Sequence, residues 1–237
     1  LATPFILLLN PDAVIQKGLP ALVEACARPG VAAAGGMLVD ARGRPQTGFM
    51  VRQFPTAAAL AFEALLINRL WPANPVNWQY RCMGMDGSAA QEVEQPAGAF
   101  LMLRRDVWET LGGFDERFYP LWFEDVDFCR RAAARGYRIW FIPEAVAIHT
   151  GGHSIAGIGV EKRALYWYRN LLGYAAGHYR PLGRITVRLA VLAGSLIRMA
   201  VETVLNRSLK PIAVYGRVAA LAAGSLLRGS RPWCGTD

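Results

Sequence analysis

Residues 5–10, FILLLN, form an unbroken apolar run that ends at Pro11. A run without polar alternation is the pattern of a strand covered on both faces in a parallel sheet, and proline, which has no N–H for the ladder, stops it. GLPALVEACARPG (18–30) predicts a short helix, with Pro20 near its first turn and Gly30 beyond its end. VAAAGGMLV (31–39) predicts a second strand and ARGR (41–44) a turn. Between 52 and 95 the pattern weakens: FPTAAALAFEALLINRL predicts a helix over 54–70, and NPVNWQYRCMGMDGSAAQ a long mobile loop over 74–91. Regularity returns with AGAFLMLRR (97–105), a strand, followed by a helix over 106–111 and a turn at GGFDERF. A helix is expected from near Asp125 to Gly136, then two strands, YRIWFIP and AVAIH. Strands and helices alternating in this way predict an open α/β sheet.

Beyond His178 the pattern changes. From Leu182 to Leu205 it is helical, with Arg184, Arg188, Ser195, Arg198 and Glu202 on one narrow stripe at about 100° per residue. The rest of that surface is Ile, Val, Leu, Ala and Met. Residues 212–228 repeat the theme with Arg217, Ser225 and Arg228. Neither segment holds the roughly 18 to 20 uninterrupted apolar residues of a spanning helix. The expectation is of helices lying in a membrane interface with the basic stripe outward, the alternative being helices packed on the core or on another subunit. The expected domains are 1–178 and a basic amphipathic tail, 179–237.

Composition changes this picture little. The 237 residues are 53% hydrophobic, enough for one sizeable core. The chain opens on Leu1 and runs straight into FILLLN with no charged leader or cleavage site, so it reads as a fragment rather than as a secretory precursor. Cys26, Cys82, Cys129 and Cys234 are far apart and form no CxxC pair, which argues against a zinc site or a disulfide framework and for a reducing compartment. Lys+Arg 26 against Asp+Glu 18 leaves a net charge of +8, much of the excess lying after residue 160. Such a bias suits nucleic acid or an anionic membrane. Nucleic acid is the weaker partner, because the basic residues fall on apolar helices and not among exposed aromatics on a sheet.

Three places could carry chemistry. Asp12 sits just past a strand, where open α/β sheets bind ligands, and a carboxylate there can hold a divalent metal bridging two phosphates; N-P-D is also an ordinary turn. His149 closes another strand ahead of the glycine-rich HTGGHS, where an imidazole can meet a metal or a phosphate oxygen, or can simply be hydrogen-bonded structure. His153 and His178 have weaker claims. Glu124, Asp125 and Asp127 follow Tyr119, Leu121, Trp122 and Phe123 directly. One of these acids can be a helix cap. Desolvation beside the aromatics would raise a carboxyl toward the range of a general base, while a structural ion pair with Arg130 or Arg131 fits equally well.

Taken together, LLLNPDA and PAGAFLMLRRDVWETLGGFDERFYPLWFEDVDFCRRAAARGYRIWFIPEAVAIHTGGHS resemble family 2 of the nucleotide-sugar glycosyltransferases, in particular the bacterial rhamnosyltransferase-like branch, over roughly residues 5 to 180. The resemblance implies a GT-A fold, an open mixed sheet flanked by helices, here without the first nucleotide-binding strands. It further implies inverting transfer of a sugar, rhamnose in this branch, from a nucleotide-diphosphate donor to a lipid-linked or polysaccharide acceptor in cell-surface glycan assembly, with Mg2+ or Mn2+ at the diphosphate. By position, Asp12 becomes a metal and donor ligand, with Asn10 standing where the family's motif has its first acid. His149 joins it at the metal or diphosphate, Gly152 and Ser154 lie in the loop behind, and Gly98 and Ala99 form the floor below the donor sugar. Asp125 becomes the base and Glu124 its neighbour orienting the acceptor, with Trp122 and Asp127 on the acceptor side. The protein is then expected on the cytoplasmic face of the bacterial inner membrane, peripherally bound. Without the upstream strands, residues 1–237 alone are expected to transfer no sugar. A non-catalytic membrane-surface scaffold derived from a glycosyltransferase is the competing reading.

Overall fold

The computed structural model describes residues 3–152 and 157–227. The chain divides into two compact units, 1–54 with 79–115 and 124–157, and 55–78 with 116–123 and 158–237.

The first unit is a mixed sheet with helices. Its strands are β1 (Phe5–Leu9), β2 (Ala13–Lys17), β3 (Val31–Val39), β4 (Val51–Arg52), β5 (Gln91–Glu92), β6 (Gln95–Pro96), β7 (Phe100–Arg104) and β8 (Arg138–His149). The main sheet runs β1-β7-β3-β8-β2, with β5 added beside β8, while β4 and β6 form a separate pair. Among the described residues, only β3 and β8 run parallel; the other pairings are antiparallel. Helix α1 (Leu19–Ala27) sends Leu22, Ala25 and Cys26 into a core with Leu38, Phe100 and Phe141. On a second core, Leu101, Leu103 and Ile139 meet Val107, Phe128 and Cys129 from α5 (Arg105–Leu111) and α6 (Glu124–Ala134).

Several sequence expectations change here. β1 is the end strand of the order, antiparallel to β7 and only half-buried, so it is not the doubly covered parallel strand its apolar run suggests. The expected strands 137–143 and 145–149 are one strand, because β8 carries a register shift in which Gly36 pairs Ile142 and Met37 pairs Val146. Pro143 falls in that bulge, where its missing N–H costs no ladder bond. AVIQK, unassigned from its pattern, is β2, paired with β8.

The second unit is helical: α2 (Ala57–Ala64), α3 (Ile67–Leu70), a 3-10 turn at Glu116–Phe118, α7 (Val160–His178), α8 (Pro181–Asn206) and α9 (Lys210–Leu227). The helix expected over 54–70 breaks at Leu66, whose φ of 65 ends α2 and starts α3. Where a long loop was expected, Pro75–Tyr80 forms the short helix α4.

The stripe on α8 points the opposite way from expectation. Ser195 and Arg198 are buried, Arg184, Arg188 and Glu202 are half-buried, and Leu182, Ile185, Leu189, Leu196, Val204 and Leu205 are exposed. Arg198 donates to the carbonyls of Ala64, Glu63 and Gly194 and lies over the rings of Tyr168 and Tyr215. Helix-end carbonyls lack intrahelical partners; Glu63 O is also met by Leu66 N, and the guanidinium satisfies Ala64 O while complementing the helix dipole. Gly194 is needed at this crossing because a Cβ there would overlap the Ala64 carbonyl. By length and composition α8 is also apolar enough to cross a bilayer, which its interrupted pattern did not suggest.

Candidate active site

Asn10 and Asp12 leave the carboxyl end of β1 in a turn closed by Ala13 N donating to Asn10 O at 3.0 Å. Asn10 N also donates to Ala99 O at 3.0 Å. Because Ala13 then pairs with His149 at the start of β2, the turn brings Asp12 against the end of β8. Asp12 Oδ1 stands 3.5 Å from His149 Nε2, with the two side chains only 5% and 6% exposed, and Asn10 Nδ2 lies 3.3 Å from the same nitrogen.

The opposite ring nitrogen, His149 Nδ1, is 3.0 Å from Gln46 Oε1, and Gln46 Nε2 donates to His149 O at 2.7 Å. Phe49 stacks on the imidazole, with centroids 5.2 Å apart and planes 9° from parallel. Gln46 and Phe49 belong to the loop after β3. Its neighbours Thr47, Gly48 and Met50, with Met37, Cys82 and Met85, line a cavity of about 380 Å³.

Asp125 sits in the first turn of α6. Its Oδ2 accepts from Gly98 N at 2.9 Å and from Gln95 Nε2 at 3.4 Å, while Oδ1 accepts from Val126 N at 2.8 Å. A Cβ on Gly98 would come within 3.2 Å of Oδ2 and 3.3 Å of the Asp125 Cβ, so the close approach depends on glycine. The residues therefore form one contiguous series along a single sheet edge: Asp125 on Gly98, Ala99 on Asn10, and Asn10 and Asp12 on His149.

Glu124 is different. Burial, reinforced by the charge of Asp125, pushes its carboxyl up to about 8, and its Oε2 is buried with no hydrogen-bond partner among the described residues. The raised acid is thus Glu124, the neighbour of the residue expected to act as base.

Two expected acceptor residues have structural partners of their own. Asp127 is buried and its Oδ2 accepts from Arg131 Nε at 2.7 Å. Arg131 in turn donates to Leu111 O and Gly113 O, so the Asp127 carboxylate is committed to structure and is not a wall open to an acceptor. This is the ion pair the charge pattern allowed. Trp122 belongs to the second unit, edge-to-face with Trp167 at 5.7 Å. There Asn170 Nδ2, fully buried, donates to Phe118 O, Leu121 O and Trp122 O, holding a turn in which Trp122 and Phe123 have φ of 71 and 76. Gly152 has φ 88 with open space around it, and Ser154 lies outside the described residues.

The residues fit a divalent cation. Two donors to one octahedral ion at about 2.1 Å stand roughly 3 Å apart, close to the Asp12–His149 separation. Among the described residues no group of three or more His, Cys, Asp or Glu gathers, so a cation here would have two protein donors and would need its other ligands from elsewhere.

The profile described as "Glycosyltransferase like family 2" matches residues 1–170. The chain belongs to this family. An N-acetylglucosaminyl-diphospho-decaprenol L-rhamnosyltransferase of Mycobacterium tuberculosis is 28% identical over 215 residues, covering 87% of this chain and 68% of that enzyme. The O-antigen biosynthesis protein RfbC of Myxococcus xanthus is 31% identical over 179 residues, 74% of this chain but 12% of that protein. Among solved structures, a mannosyltransferase from Pyrobaculum calidifontis, in complex with GDP-Man and Mn2+, is similar at 18% identity and a TM-score of 0.43, over 96% of this chain and 58% of that one. The open mixed sheet flanked by helices expected from the family resemblance is the architecture of the first unit.

Proposed function

We propose that this family 2 glycosyltransferase chain takes part in inverting transfer of a sugar, rhamnose in the first instance, from a nucleotide-diphosphate donor to a lipid-linked or polysaccharide acceptor. The observation that carries the reading is Asp125, held by the Gly98 N–H on the same sheet edge as the Asp12–His149 pair. The names of the mycobacterial and Myxococcus relatives support a glycan acceptor, on a polyprenyl diphosphate in the mycobacterial case.

In this mechanism an acceptor hydroxyl donates its proton to Asp125 Oδ1, which keeps a lone pair beside the bond from Val126 N while Oδ2 is taken by Gly98 and Gln95. The acceptor oxygen attacks the anomeric carbon, the bond to the diphosphate oxygen breaks on the opposite face, and the configuration inverts. Asp12 and His149 would hold Mg2+ or Mn2+, which when bound there supplies charge neutralisation for the departing diphosphate. Asn10 and the backbone at Gly98 and Ala99 line the floor between the two walls. Glu124, protonated near neutral pH, orients the acceptor by donating a hydrogen bond.

The test is sugar transfer to a polyprenyl-diphosphate acceptor by membranes in which the protein is expressed from its own gene. Asp125→Asn is expected to lower transfer by about 10²- to 10⁴-fold. Transfer at the parental rate in that variant would remove Asp125 as base.

A further inference from the structure

Gln46 reaches His149 from a site 103 residues away in sequence, and it does so twice. Its position is secured by backbone bonds: Gln46 N donates to Leu38 O at 2.9 Å, and Gln46 O accepts from Phe49 N and Met50 N, each at 3.0 Å. The two side-chain contacts decide which way the amide faces. The His149 carbonyl can only accept, so the amide nitrogen must lie against it at 2.7 Å. The amide oxygen is thereby turned to Nδ1 at 3.0 Å, and an oxygen there can only accept, so Nδ1 carries the ring proton. In the neutral ring that leaves Nε2 bare, accepting from Asn10 Nδ2 at 3.3 Å and facing Asp12 Oδ1 at 3.5 Å. Phe49, stacked at 5.2 Å, keeps the ring from swinging out of this plane.

We propose that Gln46 is a positioning residue that fixes the His149 tautomer and ring orientation, so that a bare Nε2 is presented beside the Asp12 carboxylate as a ready cation ligand. This rests on the reading of Asp12 and His149 as ligands given above. Outer contacts of this kind typically change metal affinity by about 10- to 100-fold when removed.

The experiment uses the full chain, 15N-labelled at histidine, with His149→Asn to identify the His149 signals among the three histidines. Long-range 1H–15N spectra at about pH 8 should show His149 protonated at Nδ1 and bare at Nε2. Gln46→Leu should release that preference and weaken Mn2+ binding, measured by calorimetry without nucleotide, by about 10- to 100-fold. Gln46→Glu retains an acceptor for Nδ1–H but loses the donor to the His149 carbonyl, so it should keep the tautomer with a Mn2+ affinity between those of Gln46→Leu and the parent. A wild-type ring protonated at Nε2, or a Gln46→Leu protein with unchanged tautomer and unchanged Mn2+ affinity, overturns the proposal. If Gln46→Leu does not fold, the wild-type and Gln46→Glu spectra decide it. Absence of any Mn2+ binding by the wild type would overturn the ligand assignment to Asp12 and His149, and the tautomer spectra would still judge Gln46.

Discussion

At Gly98 the smallest side chain governs the placement of the proposed base. A methyl group there would press on Asp125 at 3.2–3.3 Å, so Gly98→Ala is expected to displace the carboxylate and lower transfer by about 10- to 100-fold, with little change in melting temperature. Parallel rate and melting measurements check it. Glu124 gives a stability prediction of definite sign. The folded protein keeps its proton up to about 8, whereas an unfolded glutamate releases it near 4.5. The folded state therefore binds more protons across that window, and stability falls as pH rises through it, by at most about 1.4 kcal/mol per pH unit. Glu124→Gln cannot ionise, so its advantage over the wild type in urea melts should grow from about pH 5 to pH 8 and then level off. The residue types at Asp12, Asp125 and His149 were legible as chemistry because strand ends and helix starts can be read locally. Gln46 and Gln95 were not: a glutamine in a turn has no periodicity, and its role exists only once a distant strand end arrives beside it.

Among the elements, α8 shows where local pattern misleads. Its polar stripe suggested a solvated face, yet Ser195 is buried and Arg198 nearly so. Amphipathicity says that two faces differ without saying which one meets protein, and here the open Ala64 carbonyl at the end of α2 attracts the guanidinium. Arg198→Met should leave the Ala64 carbonyl unpaired and cost the helical unit about 1–3 kcal/mol, read as a lowered midpoint in denaturant. For β8 the two expected segments were correct in residues and wrong in number, because a bulge at Pro143 lets one strand continue past a proline.

For the whole molecule, the reversal on α8 changes how membrane association should work. With Leu182, Leu189, Leu196 and Leu205 exposed, contact with a bilayer would be apolar rather than led by a basic stripe. If the protein binds a membrane through this face, it should float with neutral as well as anionic liposomes. Leu189→Glu with Leu196→Glu should reduce that partition at least tenfold, since burying one leucine contributes about 1.5–3 kcal/mol. Flotation that requires anionic lipid and ignores both substitutions would restore the basic-stripe picture.

What the amino-acid order determined by itself was the succession of strands and helices, the acids at the start of α6, and the family, because periodicity, capping and motif spacing are local properties of a chain. Only the tertiary structure decided that β1 lies at an edge, that α8 turns its leucines outward, that Asp127 belongs to Arg131, and that His149 is clamped by Gln46 beside Asp12. Each of those outcomes is a choice between partners far apart in sequence. It is made by which buried donors and acceptors would otherwise go unpaired, a quantity that does not exist until the chain has folded.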